Sequence, residues 1–186
     1  MFKTLKNILS CTLTLIKFSL IKIIRSGFSF YYIERFSPST MINIWKNGKM
    51  HIGKKVSVHT GSRLSVTSSG FMKIGDGVKI NYNCIIVCQD SITIDNGVEI
   101  GPNVVIYDHD HDFRAKGGLK DSKFKTAPVF IGENSWIGAG SIILRGTTIG
   151  KNCVIGAGSI VKGNIPDNTL VVQHREMEHH SIVRAQ

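Results

Sequence analysis

Acidic residues are scarce in this chain of 186 residues: 13 Asp and Glu stand against 23 Lys and Arg, a net charge of +10. Such a balance points to anionic partners. Up to residue 40 the imbalance is sharper, with Glu34 alone against Lys3, Lys6, Lys17, Lys22, Arg25 and Arg35, or +5 for the segment. No nucleic-acid-binding motif accompanies the charge, and the aromatic residues are not interleaved with the basic ones, so nucleic acid is set aside as a partner. A phosphorylated cofactor and an anionic membrane surface account for the charge equally well. Cysteine is also sparse. Cys11, Cys84, Cys88 and Cys153 match no common zinc spacing, and they read as reduced thiols in a cytosolic protein. Long apolar runs are missing too. The longest uncharged stretch near the start, residues 7–16, is half of the roughly 20 residues that a membrane span needs. No small-residue cleavage site follows it, which argues against a secretory signal.

What the chain does have is a period. Ile131, Ile137, Ile143, Ile149, Ile155 and Val161 recur every sixth residue. Gly132, Gly138, Gly150 and Gly156 follow four of them, and Ser135, Ser141, Thr147, Cys153 and Ser159 fill the fifth place with small or β-branched side chains. A fixed period is the signature of a repeat architecture. Six residues suit a short strand plus a tight corner, where Gly tolerates unusual backbone angles, and do not suit a helix. Stacked units place each aliphatic above the last in one continuous core. The same step runs through Ile74, Ile80 and Ile86, then, after two extra residues, through Ile94, Ile100 and Ile106. Further upstream Val58, Leu64 and Val66 keep only part of it, which predicts an imperfect first coil.

Three segments follow. Residues 1–40 carry Phe2, Leu5, Leu9, Leu13, Ile16, Leu20 and Ile23 at steps of three and four, the pattern of a basic amphipathic helix. Two readings of residues 1–25 stand open. The helix packs on the coil or on a neighbouring subunit, or it lies as a peripheral element on anionic lipid. Residues 41–166 form the coil, broken once at 107–128 by a polar loop containing Asp108, His109, Asp110, His111 and Asp112. A rigid scaffold interrupted by one polar excursion is how a functional loop is carried. Residues 167–186 are a polar tail that closes the coil's end.

These motifs resemble the hexapeptide-repeat acyltransferases, and within them the bacterial sugar O-acetyltransferases related to the maltose, galactoside and xenobiotic enzymes. The likeness is carried by Ile100-Gly101-Pro102-Asn103, the His-containing loop, Trp136-Ile137-Gly138-Ala139, and Ile155-Gly156-Ala157-Gly158-Ser159 ending at Ile165-Pro166. It implies an all-β fold, a left-handed parallel β-helix, assembled as a homotrimer with active sites between subunits. The left hand comes from the resemblance alone, since ordinary parallel crossovers are right-handed. It implies acetyl-CoA as co-substrate, no metal, and a sugar or polysaccharide-precursor acceptor. The place implied is the cytoplasm, with room for a peripheral position on the inner face of the membrane.

Acyl transfer from a thioester requires the attacking hydroxyl to lose its proton, and a neutral imidazole is suited to take it. The resemblance aligns His111 with the family's catalytic base, with Asp108 or Asp110 as orienting groups and His109 as the fallback. Asn103 matches a residue that contacts the acceptor; Asn also suits a left-handed corner. Trp136, Ala139, Ala157 and Lys162 match the cofactor side, the alanines letting the pantetheine arm approach the backbone. Lys162 is displaced by one position from the family's Lys. The stretch Gln173-His174-Arg175-Glu176-Met177 replaces the usual nucleotide-holding tail, with Arg175 an alternative cation. The leading function is therefore O-acetylation of a sugar hydroxyl in surface-polysaccharide synthesis. The alternatives are N-acetylation of an amino sugar or xenobiotic, and a non-catalytic solenoid that only binds a partner. A zinc hydratase on the same scaffold needs three His ligands, and no His lies between Asp112 and Gln173.

Overall fold

The computed structural model describes residues 2–31, 34–67 and 69–174, with side chains from residue 7 onward. Helix α1 spans Phe2–Ile24. The rest winds as a left-handed parallel β-helix of about six turns with three flat faces. The first face stacks Phe28–Ser29, Lys49–Ile52, Phe71–Ile74, Ser91–Ile94, Val129–Ile131, Thr148–Ile149 and Asn164–Ile165. The second stacks Arg35–Phe36, Ser57–Val58, Lys79–Ile80, Glu99–Ile100, Trp136–Ile137, Val154–Ile155 and Leu170–Val171. The third stacks Met41–Ile44, Arg63–Val66, Ile85–Cys88, Val105–Tyr107, Ile142–Ile143 and Ile160–Val161. Strands of the coil thus lie on both sides of residues 41–166.

Register explains the period. Ile52, Ile74, Ile94, Ile131, Ile149 and Ile165 pair in one column of the first face. Phe36, Val58, Ile80, Ile100, Ile137, Ile155 and Val171 form the second column. Ile42, Leu64, Ile86, Ile106, Ile143 and Val161 form the third. The uneven first coils follow from longer strands. Arg63–Val66 turns both Leu64 and Val66 inward, which is why the sixfold step falters there. A coil takes 22 residues from Ile52 to Ile74, 18 from Ile131 to Ile149 and 16 from Ile149 to Ile165. The wide lower coils hold Met50 and Met72, which the narrow upper ones could not.

The repeat's small residues have two different duties. Gly101 and Gly138 have ordinary negative φ; they are glycine because the coils touch. A Cβ on Gly138 would stand 2.6 Å from the Ala157 nitrogen, and one on Gly101 would stand 2.7 Å from the Ala139 nitrogen. The unusual φ expected of the repeat glycines sits elsewhere, at corner residues such as Asn103, Asn134 and Asn152, at +58°, +58° and +55°. The fifth-place side chains are all buried; Ser135, Ser141, Thr147 and Cys153 bond the backbone of the next coil, and Ser159 bonds the Gly156 carbonyl within its own. Ser135 Oγ donates to the Gly150 carbonyl at 2.8 Å and accepts from the Cys153 amide at 2.9 Å; Ser141 Oγ donates to Gly156 O. The four cysteines carry no disulfide.

Helix α1 closes the lower end of the coil. Its buried face is narrow. Phe18 inserts among Phe28, Phe30 and Phe36, with ring centroids 5.1, 5.2 and 4.7 Å away. Thr14 Oγ1 donates to the Phe36 carbonyl and accepts from the Phe36 amide, Ser10 Oγ donates to that same carbonyl, and Lys17 Nζ donates to Thr40 O. Of the readings left open for the apolar stripe, packing on this chain's own coil is not what the structure shows: Leu9, Leu13, Ile16, Leu20 and Ile23 are exposed. The positions of Phe2 and Leu5 side chains lie outside the described residues. Residues 7–24 are nevertheless long and apolar enough, by length and composition, to cross a membrane, a point the shorter uncharged run alone did not suggest. At the upper end Gln173 imitates a further strand. Its side-chain amide donates to the Ile160 carbonyl at 2.6 Å and accepts from the Ile160 amide at 3.0 Å. Beyond His174 the tail, with Arg175, Glu176 and Met177, lies outside the described residues.

Candidate active site

The polar excursion leaves the corner between the third and first faces. It is not irregular throughout: His109–His111 pairs antiparallel with Phe124–Thr126, setting His109 opposite Thr126, Asp110 opposite Lys125 and His111 opposite Phe124. A 3-10 turn, Gly118–Asp121, closes the far end.

Asp108 anchors the base of this hairpin. It is fully buried, and its carboxylate accepts from the Gln89 amide at 2.8 Å, the Asp90 amide at 2.7 Å and His109 Nδ1 at 2.9 Å. Three donors satisfy a charge that burial would otherwise penalise heavily. The contact assigns the Nδ1–H tautomer to His109 and leaves Nε2 as the acceptor. Tyr107 and Phe124 stand edge-on to the His109 ring, both with centroids at 5.5 Å. Beneath the hairpin, burial and then the Asp108 carboxylate push the Cys88 thiol up, so it stays protonated.

His111 projects outward and is exposed, its ring tilted on Phe124 with centroids 4.5 Å apart. Neither expected orienting carboxylate reaches it. Asp108 faces His109, and Asp110 pairs with Arg145 across the corner. Asp112 pairs with Lys125 at 3.2 Å, and that hydrogen bond holds its carboxyl below the ordinary value.

The other expected residues divide between different edges of the prism. Lys162 continues the third-face column two coils above Tyr107, at the hairpin corner. Asn103, Ala139 and Ala157 lie at the opposite corner, between second and third faces. There Gly140 N donates to Pro102 O at 2.9 Å and Gly158 N to Ala139 O at 2.7 Å. Asn103 has φ +58° and serves that corner. Trp136 stands on the second face, 54% exposed. One chain therefore gathers His109, His111, Asp108 and Asp110, with Lys162 above them, and leaves the alanine corner across the third face.

The alanine corner is open: Ala139 is half-buried, Ala157 is exposed, and a Cβ built on Gly140 would meet nothing within 4 Å. Among the described residues no three His, Cys, Asp or Glu side chains converge as a metal site. Two cavities, of about 760 and 600 Å³, both lie against α1 and away from the hairpin. Sequence reasoning missed Arg145 and Phe124. Arg145 is 35 residues from Asp110, and nothing local announces the pair. Phe124, an aromatic inside a polar loop, was a usable signal.

Comparison with known proteins agrees with this reading of the coil. Residues 128–163 match the family model "Bacterial transferase hexapeptide (six repeats)". The chain is 48% identical over 80 residues to nodulation protein L of Rhizobium leguminosarum bv. viciae, covering 41% of this chain and 40% of that protein. It is 31% identical over 141 residues to the putative lipopolysaccharide biosynthesis O-acetyl transferase WbbJ of Escherichia coli K12, covering 69% of each. Among solved structures it resembles AntD, an N-acyltransferase from Bacillus cereus in complex with dTDP and 3-hydroxybutyryl-CoA, with TM-score 0.68 and 22% identity over 88% of this chain and 87% of that one. The chain spans less than half of the first relative and about two thirds of the second. With its coil, its columns and its repeat all accounted for, it belongs to the hexapeptide-repeat transferase family.

Proposed function

We propose that the protein is an acetyl-CoA-dependent acetyltransferase that acts on a sugar hydroxyl, with His111 as the general base. The observation that carries this reading is an exposed imidazole on the hairpin that forms the one long break in a rigid coil of the transferase family. His111 Nδ1 or Nε2 takes the hydroxyl proton as the oxygen attacks the thioester carbonyl, and the imidazolium returns that proton to the CoA sulfur as the C–S bond breaks. The two alanines give the pantetheine arm access to backbone amides, and Lys162 and Trp136 supply a cation and an apolar face for the rest of the cofactor. Because the hairpin and the alanine corner stand on opposite edges of the third face, a working site needs the hairpin of one copy beside the alanine corner of the next. A homotrimer does this by symmetry. The name of the relative matched over most of the chain supports oxygen over nitrogen as the acceptor atom. The solved N-acyltransferase, at 22% identity, speaks for the fold alone. Acetylation of a lipopolysaccharide or capsule precursor is the fitting acceptor class.

One contact favours a second assignment of the base. Asp108 orients His109, as a triad carboxylate does. Thiol release from acetyl-CoA with a panel of sugars tests both. His111→Ala is expected to lower kcat by about 10²–10⁴-fold with an unchanged thermal midpoint. Full activity in that variant, with loss in His109→Ala, transfers the role to His109. No thiol release with any sugar or amino sugar in the wild-type protein refutes the transferase reading.

A further inference from the structure

The face of α1 that points away from the coil serves neither the fold nor the site. Ile16, Leu20 and Ile23 form an exposed stripe, with Ile23 at 81% exposure, continued by the exposed Leu9 and Leu13, which also border the cavity of about 600 Å³ against the coil. From Leu9 to Ile23 the stripe runs about 21 Å along the helix, longer than a scattered surface patch. Beside the helix's C-terminal turn opens the cavity of about 760 Å³. Its floor includes Ile21 and Ile24, its rim carries Arg25, Lys46 and Arg63, and Trp45 stands over it 62% exposed; no carboxylate lines it. An apolar floor under a cationic rim with an exposed indole matches a molecule that is greasy at one end and anionic at the other.

We infer that α1 and this groove dock the protein on an anionic phospholipid bilayer, the stripe sunk among acyl chains and Arg25, Lys46 and Arg63 at the level of the phosphates. Charge selects lipid over a second copy of the chain. No Asp or Glu precedes Glu34, and the groove beside the stripe carries Arg25, Lys46 and Arg63 with no carboxylate, so a second copy of this surface would bring cation against cation. Orientation selects lying over spanning. Thr14, Ser10 and Lys17 bond the first coil along one side of the helix, and Phe18 is plugged into its aromatic cluster. Crossing the bilayer would strip all of these, whereas lying in the interface keeps them and buries only what is already outside. The inference stands apart from the transferase reading, and its test needs no catalysis.

The test is flotation of the full chain with vesicles of phosphatidylcholine, with and without phosphatidylglycerol. Wild-type protein is expected to float with the anionic vesicles, to release in high salt, and to stay behind with pure phosphatidylcholine. Ile16→Asp/Leu20→Asp is expected to partition roughly a hundredfold less, and Lys46→Glu/Arg63→Glu roughly tenfold less, with unchanged circular dichroism. Should the double aspartate variant not fold, Ile23→Ser serves, since its side chain is already in solvent; about a threefold loss is expected. Three results overturn the inference: no binding of the wild type to anionic vesicles at low salt, stripe variants that bind as the wild type does, and a change of particle mass by light scattering in the stripe variants, which makes the stripe a subunit interface. Retention in the membrane after an alkaline carbonate wash also overturns it, in favour of a spanning helix.

Discussion

Asp108 carries two loads at once: it clamps the Gln89 and Asp90 amides to the hairpin and fixes the His109 ring. Asp108→Asn keeps the size but reverses part of the donor and acceptor pattern inside a buried site. A loss of about 2–3 kcal/mol in urea unfolding is expected, together with a fall in activity. Gly138→Ala tests the other kind of residue. Its Cβ would stand 2.6 Å from the Ile155 oxygen, and backbone cannot retreat there without parting the coils. A drop of the thermal midpoint by several degrees is expected. Glu34 gives a pH signature. It is buried, Oε2 accepts from the Val56 amide at 2.6 Å, and among the described residues Oε1 has no partner. Desolvation is the main cause that raises its pKa from 4.5 to about 7. The folded state then holds the proton more tightly than the unfolded one between those values, so this group's contribution to stability falls as pH rises from 4.5 to 7 and is level above. Glu34→Gln is expected to flatten that slope and to gain up to about 3 kcal/mol at pH 8, read from urea melts at pH 5 and pH 8.

Among the elements, α1 is where sequence and structure part most instructively. Its steps of three and four announced a helix with one apolar stripe, and the helix is there. The stripe, however, faces outward, and the packing side is Ser10, Thr14, Lys17 and Phe18, which no hydropathy pattern would choose. The reason is the partner. The coil's open lower end offers three Phe rings and unpaired strand-edge carbonyls, so the helix meets it with one Phe and several hydrogen-bonding groups. Phe18→Ala should leave a cavity among Phe28, Phe30 and Phe36 and destabilise the protein by about 3–5 kcal/mol, measured by chemical unfolding. The hairpin was legible only as a polar interruption. Its antiparallel register, and so the contact of His111 with Phe124, depends on pairing residues 13 apart across a long loop.

For the whole molecule, the decisive matter is that one prism carries its candidate groups on separate edges. If the working site joins two copies, subunits deficient in different halves should repair each other. Mixing His111→Ala with Ala157→Trp chains, unfolded and reassembled together, is expected to restore about a quarter of wild-type activity, while each variant alone stays inactive. Light scattering should give the mass of three chains of 20.5 kDa.

By itself the order of residues determined the coil. A six-residue step with an aliphatic at each repeat admits only a short strand and a corner, and identical steps must stack, because each bare coil exposes an apolar edge that the next one covers. The two-residue insertion before Ile94 and the small residues at the fifth place follow from that local grammar, whereas the duty of the repeat glycines, at coil contacts and not in left-handed corners, does not. Tertiary structure alone decided the rest. Which imidazole meets Asp108, that Arg145 answers Asp110, that Lys162 and the alanines take opposite edges, and which face of α1 turns outward are matters of where the winding chain returns. Residues one coil apart are near neighbours although 16 to 22 positions separate them, while residues one corner apart face different ways although only about six do.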